Sequence, residues 1–221
     1  MIARQHISAD VPFLKSSDTI GYALEMMEDY KFSQLPVLNE KNEYLGILEE
    51  DVLLGNLDFE IKIEKLQLKA KSAYIEAHQH LYEALRYIVD YDTSIVPVVQ
   101  NENEFIGAID AAELVRTVVE LTAVSSNGAI LVLGIKQTDY SLAEIARIVE
   151  GSGAKVLSST VYTKEDEPTH VYVTLKLNQE IISDVISAFN RYEYHIVASF
   201  QEKTPDDDKD RLDHLFKYLD I

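Results

Sequence analysis

"LPVLNEKNEYLGILEED" spans Leu35–Asp51, and "VPVVQNENEFIGAIDAA" spans Val96–Ala112. The second stretch follows the first at a spacing of 61 positions, with no insertion or deletion between the copies. Extending the alignment to residues 18–54 and 79–115 gives eleven identities, where ordinary composition gives about two or three. Ser33/Ser94, Pro36/Pro97, Gly46/Gly107 and Leu53/Leu114 are among them, and many differences are conservative, such as Tyr44/Phe105 and Leu48/Ile109. The first half is therefore an internal duplication. A unit this short needs its twin, because alone it cannot bury its apolar face.

Within each copy the pattern reads helix, strand, turn, strand, helix. Ile20, Ala23, Leu24 and Met27 fall at i, i+3, i+4 and i+7, and Leu81, Ala84, Leu85 and Ile88 repeat that stripe. Pro36 and Pro97 are expected at the start of apolar strands, where a missing N–H costs least. Asn39–Asn42 and Gln100–Asn103 supply polar turns, and Gly46 and Gly107 fall in the strands that follow.

The stretches FSQLPVLNEKNEYLGILEEDVLL (Phe32–Leu54) and TSIVPVVQNENEFIGAIDAAELV (Thr93–Val115) resemble paired CBS domains, in which a helix leads into a Leu/Val-Pro-Val strand, a turn and a glycine-bearing strand. The resemblance covers about residues 1–120 and implies a two-fold pair, or Bateman module, whose clefts take adenosine-containing ligands such as AMP, ADP, ATP or S-adenosylmethionine. In nucleotide-binding members the segment after the glycine reads Thr/Ser-x-x-Asp, and its Asp accepts from the ribose hydroxyls. A carboxylate suits that task because it can accept both O–H bonds of a cis-diol. The matching segments here are Glu49-Glu50-Asp51-Val52 and Asp110-Ala111-Ala112-Glu113. Copy one has Val52 in place of the Asp, so the cleft of Leu35, Pro36 and Glu49 is expected to be degenerate. Copy two keeps a carboxylate, so Ser94, Ile95, Val96, Pro97, Asp110 and Glu113 form the expected ligand site. There Asp110 opposes a phosphate.

The second half has another rhythm. An apolar strand (129–136) precedes the capping box Ser141-Leu-Ala-Glu144 and a helix with Leu142, Ile145, Ala146 and Val149 on one face. Strands follow over 154–163 and 169–177, then a helix expected to be capped by Asn178, then a strand over 194–200. The order βαββαβ is a ferredoxin-like plan. With its short first turn it resembles ACT domains, which implies a ligand-facing or oligomerising turn at Asp139, Tyr140 and Ser141. Ligand-binding ACT turns carry a glycine after the Asp, and this one does not. The fold class is thus α/β (α+β), a tandem CBS pair followed by an ACT-like domain. The expected boundaries are 1–60 and 61–122 for the repeats, 127–201 for the ACT-like domain and 202–221 for an acidic amphipathic helix.

Bulk properties narrow the function. Acidic residues outnumber basic ones by 38 − 20 = 18, a field that repels phosphate backbones and anionic membranes. The longest apolar run, Ala129–Ile135, is far short of the ~18 residues of a membrane span. The N-terminus lacks the apolar core of a secretion signal, and no cysteine is present for disulfides or thiolate chemistry. A cytoplasmic protein without nucleic-acid or membrane partners is expected. Glu76, His78 and His80 could present metal ligands on one strand face, but His80 also suits a helix start. The sequence Gly151-Ser-Gly153 follows a helix rather than preceding one, so it is no phosphate loop. Nothing resembles a catalytic constellation or demands a cofactor.

Two readings follow. One is a homodimeric, non-catalytic regulator that senses an adenosine-type effector, similar to bacterial acetoin-utilisation-type CBS–ACT proteins, with a protein partner for the C-terminal helix. The other is a ligand-free interaction scaffold with degenerate clefts.

Overall fold

The duplication carries through to three dimensions element by element. The computed structural model describes residues 1–56, 58–71, 73–101 and 103–201 and divides at Thr117/Val118 into two compact units. The segment read as an amphipathic C-terminal helix lies outside the described residues.

In the first unit, β1 (Leu14–Lys15), α1 (Ile20–Tyr30), β2 (Gln34–Leu38), β3 (Tyr44–Glu49) and α2 (Glu50–Leu54) are followed by β4 (Ile75–Glu76), α3 (Leu81–Tyr91), β5 (Ile95–Gln100), β6 (Glu104–Asp110) and α4 (Ala111–Leu121), whose last turn lies past the division. Each copy builds a three-stranded sheet, β1-β2-β3 or β4-β5-β6. Its first pair is parallel and its second antiparallel. The helices start alike: Thr19 Oγ1 accepts from the Tyr22 N–H at 3.3 Å, and His80 Nδ1 accepts from the Tyr82 N–H at 3.2 Å. They also end alike, on left-handed residues Lys31 and Asp92, whose N–H groups cap the carbonyls of Met27 and Ile88.

Pro36 and Pro97 lie at the third position of β2 and β5, not at the start. The reason is where the opposing backbone points. Ile47, opposite Pro36, exchanges both its bonds with Lys69 at 2.8 Å, so β3 asks nothing of the missing N–H. Ala108, opposite Pro97, likewise gives its carbonyl to the Ser8 N–H at 2.9 Å.

The copies join reciprocally. Tyr44 N–H donates to the Asn103 carbonyl at 3.2 Å, and Phe105 N–H donates to the Asn42 carbonyl at 3.0 Å. One core is shared, with Leu38, Tyr44 and Ile47 from copy one packed among Ile75, Leu81, Tyr87, Val98 and Ile109 from copy two. A second cluster gathers Leu14, Ile20, Met27, Leu35, Leu48 and Leu53 of copy one with Ile63 of the segment that follows. Each such fully buried side chain is worth about 1.5–3 kcal/mol. Together these features make the two-fold arrangement that the resemblance to paired CBS domains implies.

The second unit contains β7 (Ile130–Lys136), α5 (Leu142–Gly151), β8 (Val156–Tyr162), β9 (His170–Leu177), α6 (Ser183–Arg191) and β10 (His195–Phe200). Its antiparallel sheet runs β10-β7-β9-β8, the ferredoxin-like order. Leu131, Leu133, Val173 and Leu175 face Ile145, Val149, Val185 and Phe189 in its core. Ser141 caps α5 as expected, accepting from the Glu144 N–H at 3.3 Å. Asn178 does not cap α6, which begins at Ser183. Its side chain instead accepts from the Lys155 N–H at 2.7 Å and its own N–H donates to the Lys155 carbonyl. It thereby ties the lead-in of β8 to the end of β9, a long-range use that local pattern cannot distinguish from a cap.

Candidate functional site

Each repeat brings the start of its middle strand beside the end of the next strand and the helix that follows. In copy two this assembles Ser94, Ile95, Val96 and Pro97 with Asp110 and Glu113; in copy one it assembles Leu35 and Pro36 with Glu49. Leu35, Ile95 and Val96 are fully buried in the two core clusters. Their side chains serve packing, which leaves their backbone and the polar neighbours to meet a ligand. Ser94 is exposed, and Asp110, Glu113 and Glu49 are partly so.

A crossing segment in each repeat was not legible as part of this arrangement. Ile7 and Ser8 cross Gly107, and Leu68 and Lys69 cross Gly46, again 61 positions apart. A Cβ on Gly107 would run into Ile7 Cγ2, and one on Gly46 would stand 2.8 Å from Leu68 Cβ. The two glycines are what let these segments lie down. The spacing itself was the available signal, since it maps Ile7 onto Leu68 and Ser8 onto Lys69.

In copy two, Asp110 is committed to the backbone: its carboxylate accepts from the Glu113 N–H at 2.7 Å, and its N–H donates to Ser8 Oγ at 3.1 Å. This is the N-cap role that opens α4. Glu113 pairs through one oxygen with His6 Nδ1 at 3.2 Å and through the other with Arg116 at 3.2 Å. Thr117 Oγ1 lies 3.2 Å from the same His6 nitrogen. In copy one, Glu49 accepts from Gln34 Nε2 at 2.9 Å and from Lys69 Nζ at 3.1 Å. That second hydrogen bond, foremost, holds the Lys69 ammonium above its ordinary pKa. Both repeats therefore present a partly exposed carboxylate facing donors from a crossing segment. His6, Gln34, Lys69 and Arg116 are partners that sequence reasoning missed.

The turn between β7 and α5 divides its residues. Ser141 caps α5, Tyr140 packs against the core, and Asp139 lines a cavity of about 440 Å³ with Lys136, Glu144, His170, Tyr194 and His195. Other cavities of about 310 and 320 Å³ lie against Leu45, Leu66 and Leu68 in copy one and against Tyr74, Val99 and Asn103 in copy two. His80 is occupied as the cap of α3, while His78 pairs with Glu76 at 3.3 Å on the surface. Among the described residues no group of three acidic or histidine side chains converges on a metal position.

Residues 3–57 and 68–120 each match the family model described as the CBS domain. Inosine-5'-monophosphate dehydrogenase of Methanocaldococcus jannaschii is 26% identical over 114 residues, 52% of this chain and 23% of that enzyme. The chain thus spans about a quarter of that relative's length. A solved CBS domain pair/ACT domain protein of Thermotoga maritima superposes with a TM-score of 0.50 at 21% identity, covering 54% of this chain and 98% of that one. A Vibrio cholerae protein described as an acetoin utilization protein gives a TM-score of 0.46 at 19% identity, over 57% and 95% of the two chains. At 21% identity the likeness to the Thermotoga maritima structure is one of fold.

Proposed function

The first unit belongs to the CBS-domain family, one domain in each repeat, and on that premise we propose that the chain is a non-catalytic regulator of the cytoplasm. Its CBS pair takes an adenosine-containing effector, AMP, ADP, ATP or S-adenosylmethionine. Its ACT-like domain, 127–201, mediates assembly or output, and the working form is a homodimer. The repeats occupy 1–60 and 61–122, and the segment from 202 onward offers a contact for a partner protein.

One observation carries this reading. Glu113 sits at the ribose position of the family pattern with its side chain 28% exposed, already accepting from His6 and Arg116. Ribose hydroxyls replace such donors without leaving a buried charge uncompensated. Lys69 gives copy one a cation suited to a phosphate, which Asp110 denies to copy two. The effector acts by population shift, favouring one arrangement of the two repeats over another.

Thermal unfolding with AMP, ADP, ATP and S-adenosylmethionine tests it. A ligand at 100 times its Kd adds about 2.7 kcal/mol of stability, and Glu113→Ala abolishes that gain for the compound that binds copy two. No shift with any of the four at millimolar concentration overturns the sensor reading. The scaffold reading then takes its place. It is favoured by the engagement of both cleft carboxylates with the protein's own donors.

A further inference from the structure

The two repeats match so closely that the polar contacts without a counterpart stand out. Gln34 is one. Its equivalent 61 positions on is Ile95, which cannot hydrogen-bond through its side chain. Gln34 Oε1 accepts from both the Ser94 N–H at 2.7 Å and Ser94 Oγ at 3.0 Å. The other end of the same amide, Nε2, donates to Glu49 Oε1 at 2.9 Å. That carboxylate oxygen also takes Lys69 Nζ at 3.1 Å, and Lys69 reaches on to the Asp92 carbonyl at 2.9 Å. A continuous hydrogen-bonded chain therefore runs from Asp92 of copy two through Lys69, Glu49 and Gln34 of copy one and the linker, back to Ser94 of copy two.

We propose that Gln34 couples the two clefts, so that a change at Glu49 in copy one is felt at Ser94 in copy two. An amide is rigid and has one donor end and one acceptor end. Flipping it would set its NH₂ against the Ser94 N–H and its oxygen against the Glu49 carboxylate, so its orientation is fixed at both ends together. A hydroxyl that donates to Glu49 competes with Nε2 and with Lys69. Once Nε2 is released, Oε1 is free to leave Ser94, and the Ser94 N–H and O–H become available to whatever enters the second cleft. The bridge breaks only once, for the first occupant. The second occupant meets an opened site, so the coupling is positive and equal in both directions. The reverse bridge cannot form, because Ile95 stands where it would begin. Gln34 is a positioning residue here, acting through Glu49 and Ser94.

The effector part of this inference rests on the sensor reading above, but the bridge itself can be tested without any ligand. Amide resonances of the full chain are compared for the parent, Glu49→Gln, Lys69→Met, Gln34→Ala and the double variants with Gln34→Ala, with Val173 in the second unit as a check on folding. The Ser94 amide is expected to move in Glu49→Gln and Lys69→Met. In the Gln34→Ala background that response should fall at least fivefold. A Ser94 response of equal size with and without Gln34, or none in either background, overturns the proposal. AMP is then titrated into the parent and Gln34→Ala. Occupation of one site should tighten binding at the other about tenfold in the parent and leave it unchanged in the variant; independent sites in the parent count against the coupling. Should AMP bind neither protein, the sensor reading fails while the resonance comparison still decides the bridge.

Discussion

Gly107 and Tyr87 show how single positions hold the first unit together. Gly107 has φ +148° and faces Ile7, so an added Cβ meets both an unfavourable backbone region and a side chain. Gly46 faces a similar crossing of Leu68 but has no positive φ. Gly107→Ala is therefore expected to cost at least the roughly 1–3 kcal/mol typical of overpacking, and more than Gly46→Ala, as read from urea midpoints. It should also displace His6 from Glu113. Tyr44 and Tyr87 clasp the linker between the repeats, donating to the carbonyls of Ala70 at 3.2 Å and Ala73 at 2.8 Å. Burial raises both hydroxyls, Tyr87 to about 12 and Tyr44 further. Both folded values thus lie above the unfolded value near 10. Stability is fully present below about pH 10 and is lost as pH rises from there through the folded values. For Tyr87 the displacement from its ordinary value to about 12 is worth roughly 3 kcal/mol. Alkaline unfolding should start near pH 10, and Tyr87→Phe should flatten the fall while giving up one hydrogen bond at neutral pH. A profile flat between about pH 10 and 12 would contradict this.

Among the elements, α5 offers the sharpest local test. Its start is fixed by Ser141, whose hydroxyl satisfies the Glu144 N–H, and losing such a cap typically costs about 1 kcal/mol. Ser141→Ala should lower the stability of the second unit by that amount, and Ser141→Asp should restore it. That cap was legible because a capping box is local, as were the α1 and α3 stripes and the alternation in β9. Ile88 packs against the core as the stripe expects, and Tyr87 beside it is buried as well, its hydroxyl donating to the Ala73 carbonyl. Asn178 was misread for the opposite reason, since its partner Lys155 is distant in sequence. The site divides in the same way. The strand–helix corners that carry Glu49, Asp110 and Glu113 follow from the repeat, and their donors do not. His6 and Lys69 arrive on segments with no period of their own, placed only by the room that Gly107 and Gly46 leave.

For the whole molecule, the decisive question is what covers the apolar residues its helices leave outside. On α3, Tyr82 and Val89 are 60% and 79% exposed and fall at i and i+7, on one side of the helix. On α4, Val115 is 63% exposed. Scattered apolar residues are ordinary on a surface, but a stripe along one helix opposite its buried face suits a helix–helix contact. The net charge of −18 opposes nonspecific association, so the homodimer proposed above would draw its contact from such apolar surface. A two-fold interface places the same stripe on both partners, so one substitution strikes it twice. Light scattering at micromolar concentration should give twice the chain mass of 25.1 kDa. Val89→Glu should shift the equilibrium toward the single chain. Because Val89 is so exposed, that substitution should change the stability of the isolated chain by no more than about 0.5 kcal/mol. A parent protein that scatters at 25.1 kDa removes the dimer. A Val89→Glu variant that stays dimeric moves the interface off α3.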